Sequence, residues 1–209
     1  MLRRRAVSRR FPTSRVGAAN PGPMATSNRV SSVVSAAALA IAVGLVTYGV
    51  RGNFQFNLTS SLPIGVYRRI PGAPARGDVI VACLPHHAGE FARGRGYVWR
   101  GDCPGGAAPV GKTVLAVQGD TVRATPQSLF VNGTPVPNSR VLARDSRGRP
   151  IPHYPFGSHI VGPGEVWLFS PYHPLSFDSR YFGPIELASV KNRVSPLWTF
   201  RTQRKVIQR

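Results

Sequence analysis

The longest apolar stretch runs from Val30 to Val50, VSSVVSAAALAIAVGLVTYGV, 21 residues without a charge between Arg29 and Arg51. As a helix it would reach about 31 Å, the width of a bilayer's hydrocarbon core. Buried core helices are amphipathic and usually shorter. A cleaved signal peptide needs a small-x-small site just after its apolar run, and TYGVRGNFQFN offers none. The pattern therefore predicts an uncleaved transmembrane helix over 30–50, a tail over 1–29 and a folded domain over 51–209.

Beyond Arg51 the apolar pattern becomes short and β-like. RGDVIVACLP reads as a buried strand ended by proline, and GEVWLFS as another. KTVLAVQGDTVRA is β-branched and closes on Gly119-Asp120. In SLFVNGTPVP, Asn132-Gly133 stands between extended pieces, a strong hairpin signal. Loops rich in Gly, Pro and Arg fill 85–109 and 138–164, and no helical period persists. The fold class expected is mainly β, an antiparallel-sheet domain with little helix on a single N-terminal membrane tether. The 20 prolines and 22 glycines, spread without a repeat, fit short strands joined by many turns.

Charge adds orientation. Lys and Arg number 27 against 8 Asp and Glu. Seven arginines (Arg3, Arg4, Arg5, Arg9, Arg10, Arg15, Arg29) precede the apolar run, and no acid does. Short Arg-rich flanks stay cytoplasmic, so 1–29 is expected inside and 51–209 outside, on a single-pass protein of the inner membrane with a periplasmic domain. A start at Met24 would leave a weaker bias of the same sign. The remaining positive excess fits a domain beside anionic lipid headgroups. No regular basic–aromatic stripe or known motif supports nucleic-acid binding. Cys83 and Cys103 are the only cysteines. They are either a buried free pair or, in an extracytoplasmic domain, a loop-closing disulfide; the expected topology favours the disulfide.

Three segments carry candidate chemistry: Asn57-Leu-Thr-Ser-Ser-Leu-Pro-Ile-Gly-Val-Tyr67, Gly111-Lys-Thr-Val-Leu-Ala-Val-Gln-Gly-Asp120 and Ser176-Phe-Asp-Ser-Arg-Tyr-Phe-Gly-Pro-Ile185. Singly each has a dull explanation, since Ser and Pro belong in turns and a lysine at a strand start is usually solvated. In this order they resemble the signal peptidase family that uses a Ser–Lys dyad, most closely its conjugative-transfer, TraF-type branch. The resemblance covers about residues 30 to 200, including Cys103-Pro-Gly-Gly upstream of the lysine segment and Ser195-Pro-Leu-Trp198 near the end.

The resemblance implies a signal-peptidase-like catalytic domain with Ser61 as nucleophile and Lys112 as general base. It implies an oxyanion hole made by the Thr59 hydroxyl and the Ser61 N–H, with Ser176 orienting the lysine and Asp178 and Arg180 holding the architecture. Two departures stand out. Thr113 follows Lys112 where the family usually has arginine, and the housekeeping enzymes' Asn-Arg block before Asp-Ser-Arg is absent. The implied activity is endopeptidase cleavage of exported, pilin-like precursors, without cofactor or metal; a general type I signal peptidase is the alternative within the same chemistry.

That chemistry has physical requirements. A serine hydroxyl is a weak nucleophile until a base takes its proton. Lysine serves only when neutral, so its pKa must fall from about 10.4, which desolvation achieves. Lys112 leads into TVLAV, apolar surroundings of that kind. The same residues pose a rival reading. Gly106-Ala-Ala-Pro-Val-Gly-Lys-Thr113 fits the phosphate-loop pattern, which would make Lys112 a phosphate contact and Thr113 a magnesium ligand. A phosphate loop needs a buried strand before it and a helix after it, and neither is expected. An anchored scaffold with an inert Ser–Lys pair is a third reading. The five histidines have no metal spacing.

Overall fold

A computed structural model of the chain describes Gly17 and residues 27–200. Most of the basic tail expected over 1–29, Met24 included, lies outside the described residues. The chain divides into two compact units, Met1–Tyr48 and Gly49–Arg209. Helix α1 (Ser27–Asn53) contains the whole apolar stretch. Its Val33, Val34, Leu39, Ile41, Leu45 and Val46 are all more than half exposed. Among the described residues no helix is long and apolar enough to cross a membrane; within α1 the described side chains are those of 32–48 and 52–53.

The second unit is built from β1 (Phe54–Asn57), β2 (Ile64–Ile70), β3 (Val79–Ala82), α2 (His86–Arg95), β4 (Arg100–Cys103) and β5 (Val110–Val117). It continues through β6 (Thr121–Ala124), β7 (Leu129–Val131), β8 (Thr134–Pro135), β9 (Gly157–Ile160) and β10 (Glu165–Phe169). The last elements are α3 (Ser179–Phe182), β11 (Ile185–Glu186) and β12 (Val190–Phe200). Seven strands form one sheet in the order β1-β2-β12-β3-β5-β10-β11, and four form another, β8-β7-β6-β9. Every strand pairing in both is antiparallel.

Strand period explains why the sheet carries chemistry at its centre. On β5, Lys112, Val114 and Ala116 are buried while Thr113, Leu115 and Val117 are only partly so. Successive residues of a strand point to opposite faces, so the lysine shares its face with two apolar residues. Val114 belongs to the largest core cluster, with Ile80, Leu84, Leu168 and Ile185; Ala116 packs with Val122, Val161 and Trp167 in a second. On β10 Val166 through Phe169 are all buried, both faces being covered. The hairpin at Asn132-Gly133 forms as its sequence demands. Both residues have positive φ, 51° and 81°, and Val131 pairs with Thr134 across them, the backbone a two-residue turn requires.

The segment 85–109 departs from the loop expected there, because it contains α2. Its sequence, HHAGEFARGR, lacks an apolar stripe and buries only Ala88, Gly89 and Ala92. Small residues on one face allow close backbone approach, and a Cβ on Gly89 would stand 2.5 Å from the Pro104 carbonyl. A Cys83–Cys103 disulfide joins the flanks of this helix. The rival phosphate loop is overturned here. Gly111, Lys112 and Thr113 lie inside β5, and the strand runs on to Val117 where a helix would have to begin.

Candidate active site

One strand and two connections of the large sheet converge on one point. The turn between β1 and β2 brings Ser61, β5 brings Lys112, and the segment before α3 brings Ser176. Lys112 Nζ lies 2.8 Å from Ser61 Oγ and 2.5 Å from Ser176 Oγ, and the two hydroxyls are 3.3 Å apart. Lys112 and Ser176 are buried, whereas Ser61 is partly open. The three line a cleft of about 530 Å³ together with Leu62, Val81 and Trp99.

Burial pushes the Lys112 amine down to about 8, because the ammonium loses its hydration. Asp178 opposes this by favouring the charge, and Arg180 reinforces it. These two form a pair with no exposed side-chain surface: Arg180 Nε donates to Asp178 Oδ1 at 2.7 Å and Nη2 to Oδ2 at 2.9 Å. Asp178 also caps α3 by accepting from the Arg180 N–H, as a carboxylate before a helix commonly does. The guanidinium then spends its other donors on the carbonyls of Ser176 and Arg140, each at 2.9 Å. The pair thus fixes the backbone that carries the Ser176 hydroxyl.

The turn that carries Ser61 is held by side chains rather than by a strand ladder. Asn57, at the end of β1, donates its amide to the carbonyls of Thr59, Leu62 and Pro63 at 2.9–3.1 Å. Its oxygen accepts from the Thr59 N–H and from the Thr59 hydroxyl, the latter at 2.8 Å. Tyr67 Oη donates to the Pro63 carbonyl at 2.7 Å. Leu62 is buried against Tyr67, Val81 and Val194 and fills the space beside Gly111, where a Cβ would come within 2.6 Å of its Cδ1. Any side chain at Gly111 would force Leu62 to shift its position.

Thr59 sits at the surface with its one hydroxyl proton directed to Asn57. Asn57 and the buried Ser170 had no assigned role in the sequence reading. Ser170 Oγ donates to the Ser61 carbonyl at 2.5 Å. For Asn57 a signal existed, since an Asn two residues before a Thr invites side-chain-to-backbone turn bonding. Ser170, 109 residues from Ser61, had none.

One wall of the cleft is an acid–arginine cluster outside the three segments. Asp145 accepts from Tyr97 Oη at 2.8 Å, from Arg149 Nε at 2.7 Å and from the N–H groups of Arg147 and Arg149. Burial alone would raise its carboxyl, but these donors outweigh that and hold it well below the usual carboxylate range. No group of His, Cys, Asp or Glu among the described residues could hold a metal ion.

A desolvated amine within hydrogen-bond reach of a serine hydroxyl, beside an open cleft, is equipped for acyl transfer. Comparison with known proteins agrees: the chain belongs to the signal peptidase family, peptidase S26, which it matches over residues 27–198, and so is a peptidase. The "Probable conjugal transfer protein TraF" of Sinorhizobium fredii (strain NBRC 101917 / NGR234) is 41% identical over 162 residues, covering 76% of this chain and 84% of that protein. A "Plasmid transfer protein TraF" of Escherichia coli is 36% identical over 170 residues, covering 80% and 93%. A solved signal peptidase I from Enterococcus faecalis V583 superposes on 60% of this chain and all of its own with 18% identity and a TM-score of 0.36.

Proposed function

We propose that this chain is a membrane-anchored serine endopeptidase that trims exported, pilin-like precursors of a conjugative transfer system. The observation that carries it is Lys112 Nζ, buried and 2.8 Å from Ser61 Oγ, with the amine pushed down to about 8. The neutral amine takes the Ser61 proton as Oγ attacks the scissile carbonyl. Ser176 keeps the amine aimed during this transfer. The Ser61 N–H stabilises the developing oxyanion, and the Thr59 hydroxyl joins it by turning away from Asn57. Each such donor lowers the barrier by about 3–4 kcal/mol. The Lys112 ammonium returns its proton to the leaving amine, and a water activated by the same lysine then hydrolyses the acyl–Ser61 ester.

The anchor reading rests on α1, whose apolar side chains are uncovered, and on the arginines before it. With the second unit outside the cytoplasm, the Cys83–Cys103 disulfide falls in an oxidising compartment where such bonds persist. Conjugation enters through the names of the relatives.

The test is mass spectrometry of the pilin-like precursor from the chain's own transfer system after co-expression. Wild type yields a trimmed product. Ser61→Ala and Lys112→Arg each leave the precursor whole while the protein stays folded in the membrane, since arginine cannot surrender a proton. Cleavage by Ser61→Ala would overturn the assignment.

A further inference from the structure

The nucleophile and its base come from different parts of the chain, and the bond that joins them is the one the reaction consumes. Once Lys112 takes the Ser61 proton and Ser61 becomes an ester, the 2.8 Å contact between Nζ and Oγ no longer holds the turn in place. A turn that carries a reacting atom then needs a restraint on a group that does not react. Displacement by about 1 Å can cost about a hundredfold in rate.

The structure assigns that restraint to Ser170, as a positioning residue for the serine–lysine mechanism proposed above, on which this inference rests. Ser170 follows β10, whose Phe169 pairs with Thr113 of β5, so it stands one residue further, at the level of Lys112. Its hydroxyl donates to the carbonyl of Ser61 at 2.5 Å. Its own N–H is directed to Asp178 Oδ2 at 3.3 Å. A side chain just past the strand beside the base thus grips the backbone of the nucleophile, and its backbone is tied to the buried acid that faces the base. The residue is only 1% exposed, so a hydroxyl there without an acceptor would be unfavourable. The Asn57 amide holds Thr59, Leu62 and Pro63 but leaves the Ser61 carbonyl to Ser170. The Ser61 carbonyl is not among the atoms whose bonds form or break in acylation or deacylation, so the clamp persists through both steps.

The experiment uses the full chain in detergent micelles and its pilin-like precursor as substrate, with Ser61→Ala alongside. Ser170→Ala and Ser170→Gly should lower kcat by about tenfold to a hundredfold and leave KM within about twofold. The midpoint of the pH–rate profile should stay near the wild-type value, because the groups that set the Lys112 amine are untouched. Ser170→Thr, which keeps the hydroxyl, should recover most of the rate; if its methyl unfolds the site, Ser170→Cys, with a weak donor, should fall between serine and alanine. A kcat for Ser170→Ala within about twofold of wild type would overturn the proposal. So would a shifted pH midpoint, or a loss of rate that tracks loss of thermal stability across all four variants. If Ser61→Ala still cleaves, the underlying mechanism falls whatever Ser170 does; if it is dead while Ser170→Ala is intact, only the clamp falls.

Discussion

Two carboxylates of this domain are each wrapped by an arginine and by backbone N–H groups, yet they occupy opposite electrostatic regimes. Asp178 and Arg180 have no exposed side-chain surface. Asp145 is itself only 5% exposed, but its partner Arg149, at 33%, reaches solvent on the wall of the cleft. The bonding is similar and the surroundings are not. An ion pair sealed from water must be complete, because removing one partner strands a charge that cannot be rehydrated. Where the arginine of a pair reaches solvent it can be rehydrated once its partner is lost, so such a pair organises a loop without sealing in a charge. Only the sealed pair reaches the lysine, through its field and through the Ser176 carbonyl.

The strongest way to break this contrast is to remove one member of each pair. Asp178→Asn keeps the shape and leaves the Arg180 charge buried and unpaired, a loss of about 3–5 kcal/mol, readable as a large fall in unfolding temperature. Asp145→Asn should shift the same temperature far less. Comparable losses from the two would show that burial is not what separates them.

The disulfide closes the loop that carries Tyr97, Val98 and Trp99 into the cleft. Closing a 20-residue separation stabilises the fold by about 3 kcal/mol in the chain-entropy model. Replacing Cys83 and Cys103 by alanine together should lower the unfolding temperature of the purified domain correspondingly while leaving the pH profile in place. Free thiols trapped in protein taken from its native compartment would contradict the bond.

Acidity sharpens the comparison on the functional side. With the neutral Lys112 amine as the proposed base and its midpoint at about 8, cleavage should rise as pH climbs through that value and level off above it. Two units below, the rate should be down about a hundredfold. Asp178 raises the Lys112 amine and Arg180 lowers it; in whatever Asp178→Asn protein folds, the midpoint should therefore move toward acid. Asp145→Asn should leave it where it was. A flat profile between pH 6 and 9 with chemistry rate-limiting would remove lysine as base.

The smallest effect is expected one residue from the base. Thr113 points to the opposite face of β5 from Lys112, so Thr113→Val, similar in shape, should change cleavage by less than about twofold. A large loss would mean that the strand's second face also serves catalysis.

Much of this was legible along the chain because it is local. Alternation in KTVLAV places Lys112 with Val114 and Ala116 whatever packs against them, and Asn132-Gly133 dictates its own hairpin through the positive φ that both residues tolerate. The three blocks containing Ser61, Lys112 and Ser176 singled out the side chains that the fold brings within hydrogen-bond reach of one another. Helix α2 was not legible, because its buried face is alanine and glycine, which carry no hydrophobic stripe; it reads as a helix only when Pro104 and the disulfide lie beside it.

Long-range polar bonds were legible least of all. Ser170 looked like the end of a buried strand, and its contact with the Ser61 carbonyl exists only because β10 and β5 are neighbours in a sheet whose order no local pattern encodes. Asp145 looked like one acid in an arginine-rich loop until Tyr97 and Arg149 closed over it. Periodicity and turn chemistry act through nearest neighbours and are written in sequence order. Desolvation of Lys112 and the aim of Ser61 depend on which strands exclude water together, and that is a property of the folded sheet.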